Sequence, residues 1–455
     1  MRTQLFYAST LYGAATLAAA LDAGRFAPAD QRLLLVSNNA ATPETTPALD
    51  RMPGFERLRG RFDRVLSWNE TIRPFHPGGW SPRNDDVPLW ERHLRSLWGL
   101  GEQRGDTVEL VVESIQVDPA LALCRLFPDA PVHVYADGLM SYGPTRNKLD
   151  PLVGTRVRRL LHPDLLPGLE PLLLTEFGVA PETVPSGAFT AVLAELAEDL
   201  PPTVAEVVAE APGGALLLGQ YLSALDILSA EEEEQLHVRM LRGAAALGHR
   251  RVVFKPHPVA PARFSRALEK EAGELGVELR VIAAPVLAEV LYARMRPALV
   301  AGCFSTALLT ASACYGLPVA RTGTELLLER LAPYQNSNRV PVTLVDALLP
   351  DLADPAAVRA WTPPDEERLA GEVSGLVRTV GYCMQSQIHP GLRPEAERYL
   401  STRLTASTWR YFKKRRLTSL ALPGAVPSQL AFLPRNPTVR RVARRARALK
   451  RAARR

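Results

Sequence analysis

Three short stretches carry residues whose types and spacing can do chemistry together. In Val132-His-Val-Tyr-Ala-Asp137-Gly138 a carboxylate follows an apolar run, and the glycine lets the backbone turn with no side chain in the way. A carboxylate there can take a proton from a hydroxyl, although Asp-Gly is equally a common turn dipeptide. In Lys255-Pro256-His257-Pro258 two prolines stiffen the loop around an imidazole. A histidine so held can donate to a phosphate oxygen or to a departing group; it can also be an ordinary histidine in a proline-rich turn. Gly302-Cys303-Phe304-Ser305-Thr306 leads into the helical pattern TALLTASA. Hydroxyls and unpaired N–H groups at a helix N-terminus hold phosphate, and a serine there also serves simply as a cap. Each stretch sits just after an expected strand. A base on one wall, with a histidine and a phosphate-holding helix on the other, describes a nucleotide-sugar transferase.

Strands and helices must bring these stretches together. Short apolar runs alternate with helical patterns: a strand at Gln4–Ala8, a helix at Ala14–Ala23, then strands at Leu33–Val36, Glu109–Glu113 and Val132–Tyr135. That is the rhythm of a parallel sheet with crossover helices. Pro201-Pro202 and Ala211-Pro-Gly-Gly214 interrupt the chain, and the alternation then restarts with strands at Ala215–Leu218, Arg251–Phe254, Val277–Ile282 and Ala298–Val300. Ser229 followed by acidic residues matches a capping box and marks a helix start between the first two of them. The expected fold is α/β, with two Rossmann-like doubly wound domains facing across a cleft: residues 1–210 on the acceptor side with the base, 211–408 on the donor side with closing helices, and a basic tail over 409–455. In such sheets ligands bind beyond the carboxyl ends of the strands.

The chain has 455 residues, 47% hydrophobic and 22% charged, which suits two folded domains and excludes disorder or a disulfide miniprotein. Its net +6 is unevenly spread. Fifteen of the 54 Lys and Arg lie in 410–455, where no Asp or Glu occurs, leaving 39 basic against 48 acidic residues before it. A −9 body argues against nucleic acid as the partner of the folded part. Cys124, Cys303, Cys314 and Cys383 show neither disulfide nor zinc spacing, and no run of about 18–20 apolar residues spans a bilayer. A cytoplasmic protein is expected.

The motif order and the surrounding text, LLLGQYLSALDILSAEEE, FKPHP, PVLAEVL and GCFSTALLTA, resemble the bacterial alpha-2,8-polysialyltransferase-like family over roughly residues 1–400. The resemblance implies the GT-B type of glycosyltransferase, using CMP-sialic acid with no metal and no further cofactor. It implies Asp137 as general base, His257 as donor to the departing CMP phosphate, and Ser305 with Thr306 as its holders. It also implies Glu289 as the acceptor of ribose hydroxyls, with Lys255, Pro258 and Gly302 lining the nucleotide pocket and Gln220 at its mouth. A base and a leaving-group donor on opposite faces imply single displacement with inversion. The sequence departs from many relatives in carrying Ala136 where a second acidic residue precedes the Asp-Gly.

Other residues read more blandly. Glu113 can face the acceptor or be a surface or capping residue, His76 and His162 read as loop histidines, and Asp85-Asp86 as solvated. Asn336, Ser337, Asn338 and Arg339 read as a polar loop before a strand at Val340–Val345, able to touch nucleotide or acceptor. In the tail, Val439, Val442, Ala443, Ala446, Leu449 and Ala453 recur at helical spacing among arginines, a basic amphipathic helix suited to an anionic membrane surface. The expected place is the inner face of the plasma membrane, with a glycan or glycolipid acceptor, although the tail would equally attract a polyanionic glycan. Two rivals remain at this level: a UDP- or CDP-linked sugar or glycerophosphate transferase of envelope polymer synthesis, and an inert scaffold of the same fold.

Overall fold

The computed structural model describes residues 1–425 except 102, 104, 137, 258, 259, 261 and 262. Asp137, Pro258 and the helix expected within 426–455 lie outside the described residues.

Twelve described strands form two sheets. β1 (Arg2–Ala8), β2 (Gln31–Val36), β3 (Arg64–Ser67), β4 (Thr107–Glu113), β5 (Val132–Tyr135), β6 (Val157–Pro163) and β7 (Pro181–Val184) make the first, in the order β3-β2-β1-β4-β5-β6-β7. β8 (Ala215–Leu218), β9 (Arg251–Lys255), β10 (Glu278–Val281), β11 (Leu299–Gly302) and β12 (Val319–Arg321) make the second, in the order β10-β9-β8-β11-β12. Every ladder is parallel. Helices cover both faces, so strands such as Ala-Leu-Leu-Leu in β8 are buried throughout, and their apolar runs are continuous rather than alternating. Both orders reverse direction once, between β1 and β4 and between β8 and β11. These are the switch points outside which Rossmann-like sheets bind ligands. The fold is thus α/β with two Rossmann-like sheets, the GT-B arrangement.

Local signals explain the helices that matter. Leu11–Asp22 starts at Thr10, whose hydroxyl accepts from Gly13 N, and its alanines lie buried against the sheet. Ala230–Ala246 starts at the full capping box of Ser229 and Glu232. Thr306–Tyr315 starts at Ser305 and ends at Gly316 in the left-handed conformation.

Two expectations are corrected. Val340–Val345 is not a strand but lies inside the helix Arg339–Leu348, with Pro341 in its first turn, where a missing N–H costs nothing. Its β-branched run is buried on every side, so packing overrides propensity. Arg339 is correspondingly not a loop residue reaching for ligand: fully buried, it donates to the carbonyls of Leu331 and Tyr334.

The second correction concerns where the body ends. The segment from Trp409, expected to open the tail, is docked as far as Ala425. Tyr411 and Phe412 are buried, as are Leu417 and Leu422. Tyr411 Oη donates to Asp346 Oδ2 at 2.9 Å, while Arg410 pairs with Glu325 and Asp346. Arg416 donates to the Cys383 carbonyl. The five basic residues of 410–416 belong to this packed segment, so only ten of the fifteen lie beyond it.

Candidate functional site

In the second domain the site is built around the β8/β11 switch point. Gln220, just past β8, accepts from Phe304 N at 2.9 Å and so ties the β8 loop to the loop leading into the Thr306–Tyr315 helix. Gly302 ends β11 between β8 and β12, where a Cβ would already stand 3.3 Å from Leu218 Cβ. Ser305 is the N-cap, its Oγ accepting from Ala307 N at 3.3 Å. Leu308 N donates to the Ser305 carbonyl at 3.1 Å, so at the start of this ten-residue helix the Thr306 N–H and the Ser305 and Thr306 hydroxyls are the groups suited to a phosphate.

His257 lies two residues past β9, solvent-accessible yet ringed by protein, with the Tyr221 ring 6.4 Å away. Loss of bulk water, and then the neighbouring Lys255 charge, lower its pKa. Lys255 is buried at the end of β9 and donates to the Pro256 carbonyl at 3.2 Å. Burial pushes the Lys255 ammonium down to about 8 against the pull of Glu289. Glu289, first residue of the helix Glu289–Met295 and 4% exposed, is pushed up to about 7 by burial, opposed by its own N–H and by Lys255. Desolvation outweighs mutual attraction in both, so each is easier to neutralise than in water.

The first domain contributes from the opposite lip. Gly138 follows β5 and meets the Ser305-Thr306 corner directly: a Cβ on it would stand 2.6 Å from Thr306 Oγ1, and Leu139 N donates to that oxygen at 3.4 Å. Only a glycine fits so close an approach. Asp137 itself is outside the described residues. Tyr12 Oη lies 3.1 Å from Thr310 Oγ1, a second contact across the cleft. The sequence-expected motifs of the two domains therefore converge.

Two contributors, Glu233 and Tyr221, escaped sequence reading, and a third, Glu113, reads from sequence either as facing the acceptor or as a surface or capping residue. Glu113, at the end of β4, is 6% exposed rather than a surface residue. It accepts from Ser9 N at 3.1 Å, from the Ser9 hydroxyl, and from Tyr135 Oη at 2.9 Å. It thereby joins the ends of β1, β4 and β5 at the first switch point, and that topological rule is the signal that decides between the two readings. Glu233, fully buried on the Ala230–Ala246 helix, accepts from Leu222 N, Ser223 N and Ser223 Oγ at 2.7, 2.9 and 2.7 Å. It clamps the loop that presents Tyr221 beside His257. His162, by contrast, is no surface histidine: it is buried at the end of β6, edge-on to Tyr142, and burial lowers its pKa. Asp85 is exposed, and Asp86 lies 3.8 Å from Arg83. Among the described residues no group of three His, Cys, Asp or Glu side chains is placed to hold a metal ion.

The family model described as Alpha-2,8-polysialyltransferase (POLYST) matches residues 4–323. No curated protein matches the chain significantly. Among solved structures the chain is similar to a sialyltransferase from Photobacterium damselae, residues 113–497 corresponding to its GT-B domain, at 12% identity over 76% of this chain and 96% of that one, with a TM-score of 0.41. It is similar to a UDP-GlcNAc 2-epimerase from Methanocaldococcus jannaschii at 12% identity, 84% and 100% coverage and a TM-score of 0.45. Acinetobacter baumannii MurG gives 12%, 88% and 97%, and 0.37. With scores this low, these likenesses add nothing to the family match.

Proposed function

The chain belongs to the alpha-2,8-polysialyltransferase family, and from that premise we propose that it moves a sialic acid, or a related nonulosonic acid, from its CMP donor to a glycan with inversion. It is a glycosyltransferase of the sialyltransferase type, a class that uses a nucleotide-sugar donor and a glycan acceptor. The observation that carries the finer reading is the direct approach of Gly138 to Thr306. It brings the residue that follows Asp137 in the chain against the start of the helix that, in this reading, holds the donor phosphate.

In this reading Asp137 removes the acceptor hydroxyl proton as the acceptor oxygen bonds to the anomeric carbon. The bond from that carbon to the phosphate oxygen breaks, and its electron pair leaves with CMP. The departing phosphate gains negative charge, which the helix N-terminus, Ser305 and Thr306 stabilise and to which His257 donates. Lys255, Pro258 and Gly302 line the nucleotide pocket, Gln220 fixes its rim, and Glu289 accepts from the ribose. Bond making and breaking on opposite faces invert the centre, and no step calls on a metal or a further cofactor.

Incubation with CMP-sialic acid and a sialylated acceptor tests this. CMP release is expected, and Asp137→Asn is expected to lose about 10²–10⁴-fold in transfer while binding CMP as the parent does. Release of nucleotide from UDP- or CDP-donors with CMP-sialic acid untouched would reject it.

A further inference from the structure

We infer that a cavity on the first domain is a distal acceptor subsite built for neutral, hydroxyl-rich sugars rather than for an oligosialic chain. The inference rests on the glycosyltransferase reading and deepens it, by naming the class of acceptor.

The cavity, about 650 Å³, opens beyond the carboxyl ends of β2 and β3. Its floor includes Val36 and Ser37 at the end of β2 and Ser67 at the end of β3. It therefore lies on the same rim of the same sheet as the carboxyl end of β5, two residues before Asp137 in the chain. With β2 and β3 three and four strands from β5, strand spacing puts it roughly 14–19 Å away, a span of a few sugar residues.

The walls are held before any ligand arrives. Asn38 N donates to Asn69 Oδ1 at 2.8 Å, and Asn69 Nδ2 donates back to the Asn38 carbonyl at 3.0 Å, knitting the β2 and β3 loops together. Asn38 Nδ2 donates to the carbonyls of Pro43 and Thr46, fixing the far wall. His76 is committed at both ring nitrogens, to the Ala40 carbonyl and to Gly78 N. A preformed concavity with a few polar groups is the ordinary form of a small-ligand site.

Its chemistry selects the ligand. Phe75 lines the cavity 54% exposed, backed by the ring of Trp80 with centroids 6.4 Å apart and planes inclined by 29°, a platform for the apolar face of a pyranose. Around it stand three carboxylates, Glu44, Asp50 and Glu70, against two arginines, Arg51 and Arg73. Arg73 already faces Glu70 at 3.8 Å. The side chains of Glu44, Asp50 and Arg51 make no hydrogen bond or ion pair among the described residues, so donors and acceptors are open to hydroxyls. An oligosialic chain brings one carboxylate per residue into surroundings of net negative charge and is repelled. A neutral sugar chain meets no such penalty. The acceptor is thus a glycan whose inner sugars, those farther from the reacting hydroxyl, are neutral.

Saturation-transfer NMR without donor tests this on the full chain. The probes are a panel of neutral oligosaccharides containing galactose, glucose and N-acetylhexosamine, and α2,8-linked trisialic acid. At least one neutral oligosaccharide is expected to bind, and Phe75→Ala to weaken it about tenfold with circular dichroism and CMP affinity unchanged. Glu70→Gln is expected to weaken the same ligand. Binding by none of the neutral panel, binding indifferent to Phe75→Ala, or trisialic acid as the ligand that Phe75→Ala weakens would each overturn the assignment. Because no donor is present, the result stands whichever nucleotide the transferase uses.

Discussion

His257 carries the sharpest residue-level expectation. Transfer of a proton to the departing phosphate needs the protonated ring, since a neutral imidazole offers only an N–H hydrogen bond, and partial loss of bulk water with Lys255 nearby lowers the His257 pKa from the ordinary histidine range. The fraction able to donate therefore falls as pH rises, and in the free protein it falls earlier than for an exposed histidine. The alkaline limb of kcat/KM, which reports the free protein, is expected below pH 6.5, whereas the limb of kcat is expected higher, because a bound phosphate diester favours the cation. Lys255 loses its charge near pH 8 and adds a separate limb. Rate profiles from pH 5 to 9 check this: His257→Asn should remove the lower limb and keep the Lys255 one, while a profile unchanged by the substitution would exclude His257 as donor. At this scale the sequence showed what local chemistry encodes, a histidine between prolines and a serine before a helix. It left Glu113 undecided and misplaced Arg339, because their roles depend on what packs above them. A carboxylate ending a strand reads as a solvent group until β1, β5 and the Leu11–Asp22 helix are seen to close over it.

Elements buried on both faces were the most legible. The expected strands at Val132–Tyr135 and Ala215–Leu218 match the observed bounds, since a central parallel strand must be apolar along its whole length. The Ser229 helix start was equally plain, because the capping box is local. The short edge strands β3 and β7 gave no comparable signal: Arg64–Ser67 and Pro181–Val184 are partly exposed and mixed in character. Val340–Val345 gave a false one. The C-terminal segment also escaped, because its arginines hide its anchors. Asp346, with a 1% exposed side chain, receives Thr324 Oγ1 at 2.6 Å, Tyr411 Oη at 2.9 Å and the charge of Arg321 at 3.3 Å. A chain ending at Ala425 is therefore expected to melt with the parent. One ending at Thr408 exposes apolar surface under four buried side chains and should lose about 5 kcal/mol or more. Equal melting of the two would contradict the docking of 409–425.

At the scale of the molecule, the net +6 resolves into parts with different tasks. Residues 1–425 hold 44 basic and 48 acidic side chains, and 426–455 hold ten basic and none acidic. No described helix is long and apolar enough to cross a membrane. We propose that the final thirty residues attach the transferase to an anionic membrane surface, so the chain ending at Ala425 should also fail to sediment with anionic liposomes that carry down the full chain. In the proposed reading the body meets its own anion differently, with a helix N-terminus and two hydroxyls at the β8/β11 switch point and a histidine just past β9. What that anion is decides the account. Calorimetric titration of the full chain with CMP, CDP and UDP, beside a Ser305→Ala/Thr306→Ala variant, measures it most directly. The expected result is CMP binding that the double variant weakens, with UDP and CDP weaker in the parent. Tighter binding of UDP or CDP, or CMP binding indifferent to Ser305 and Thr306, would contradict it.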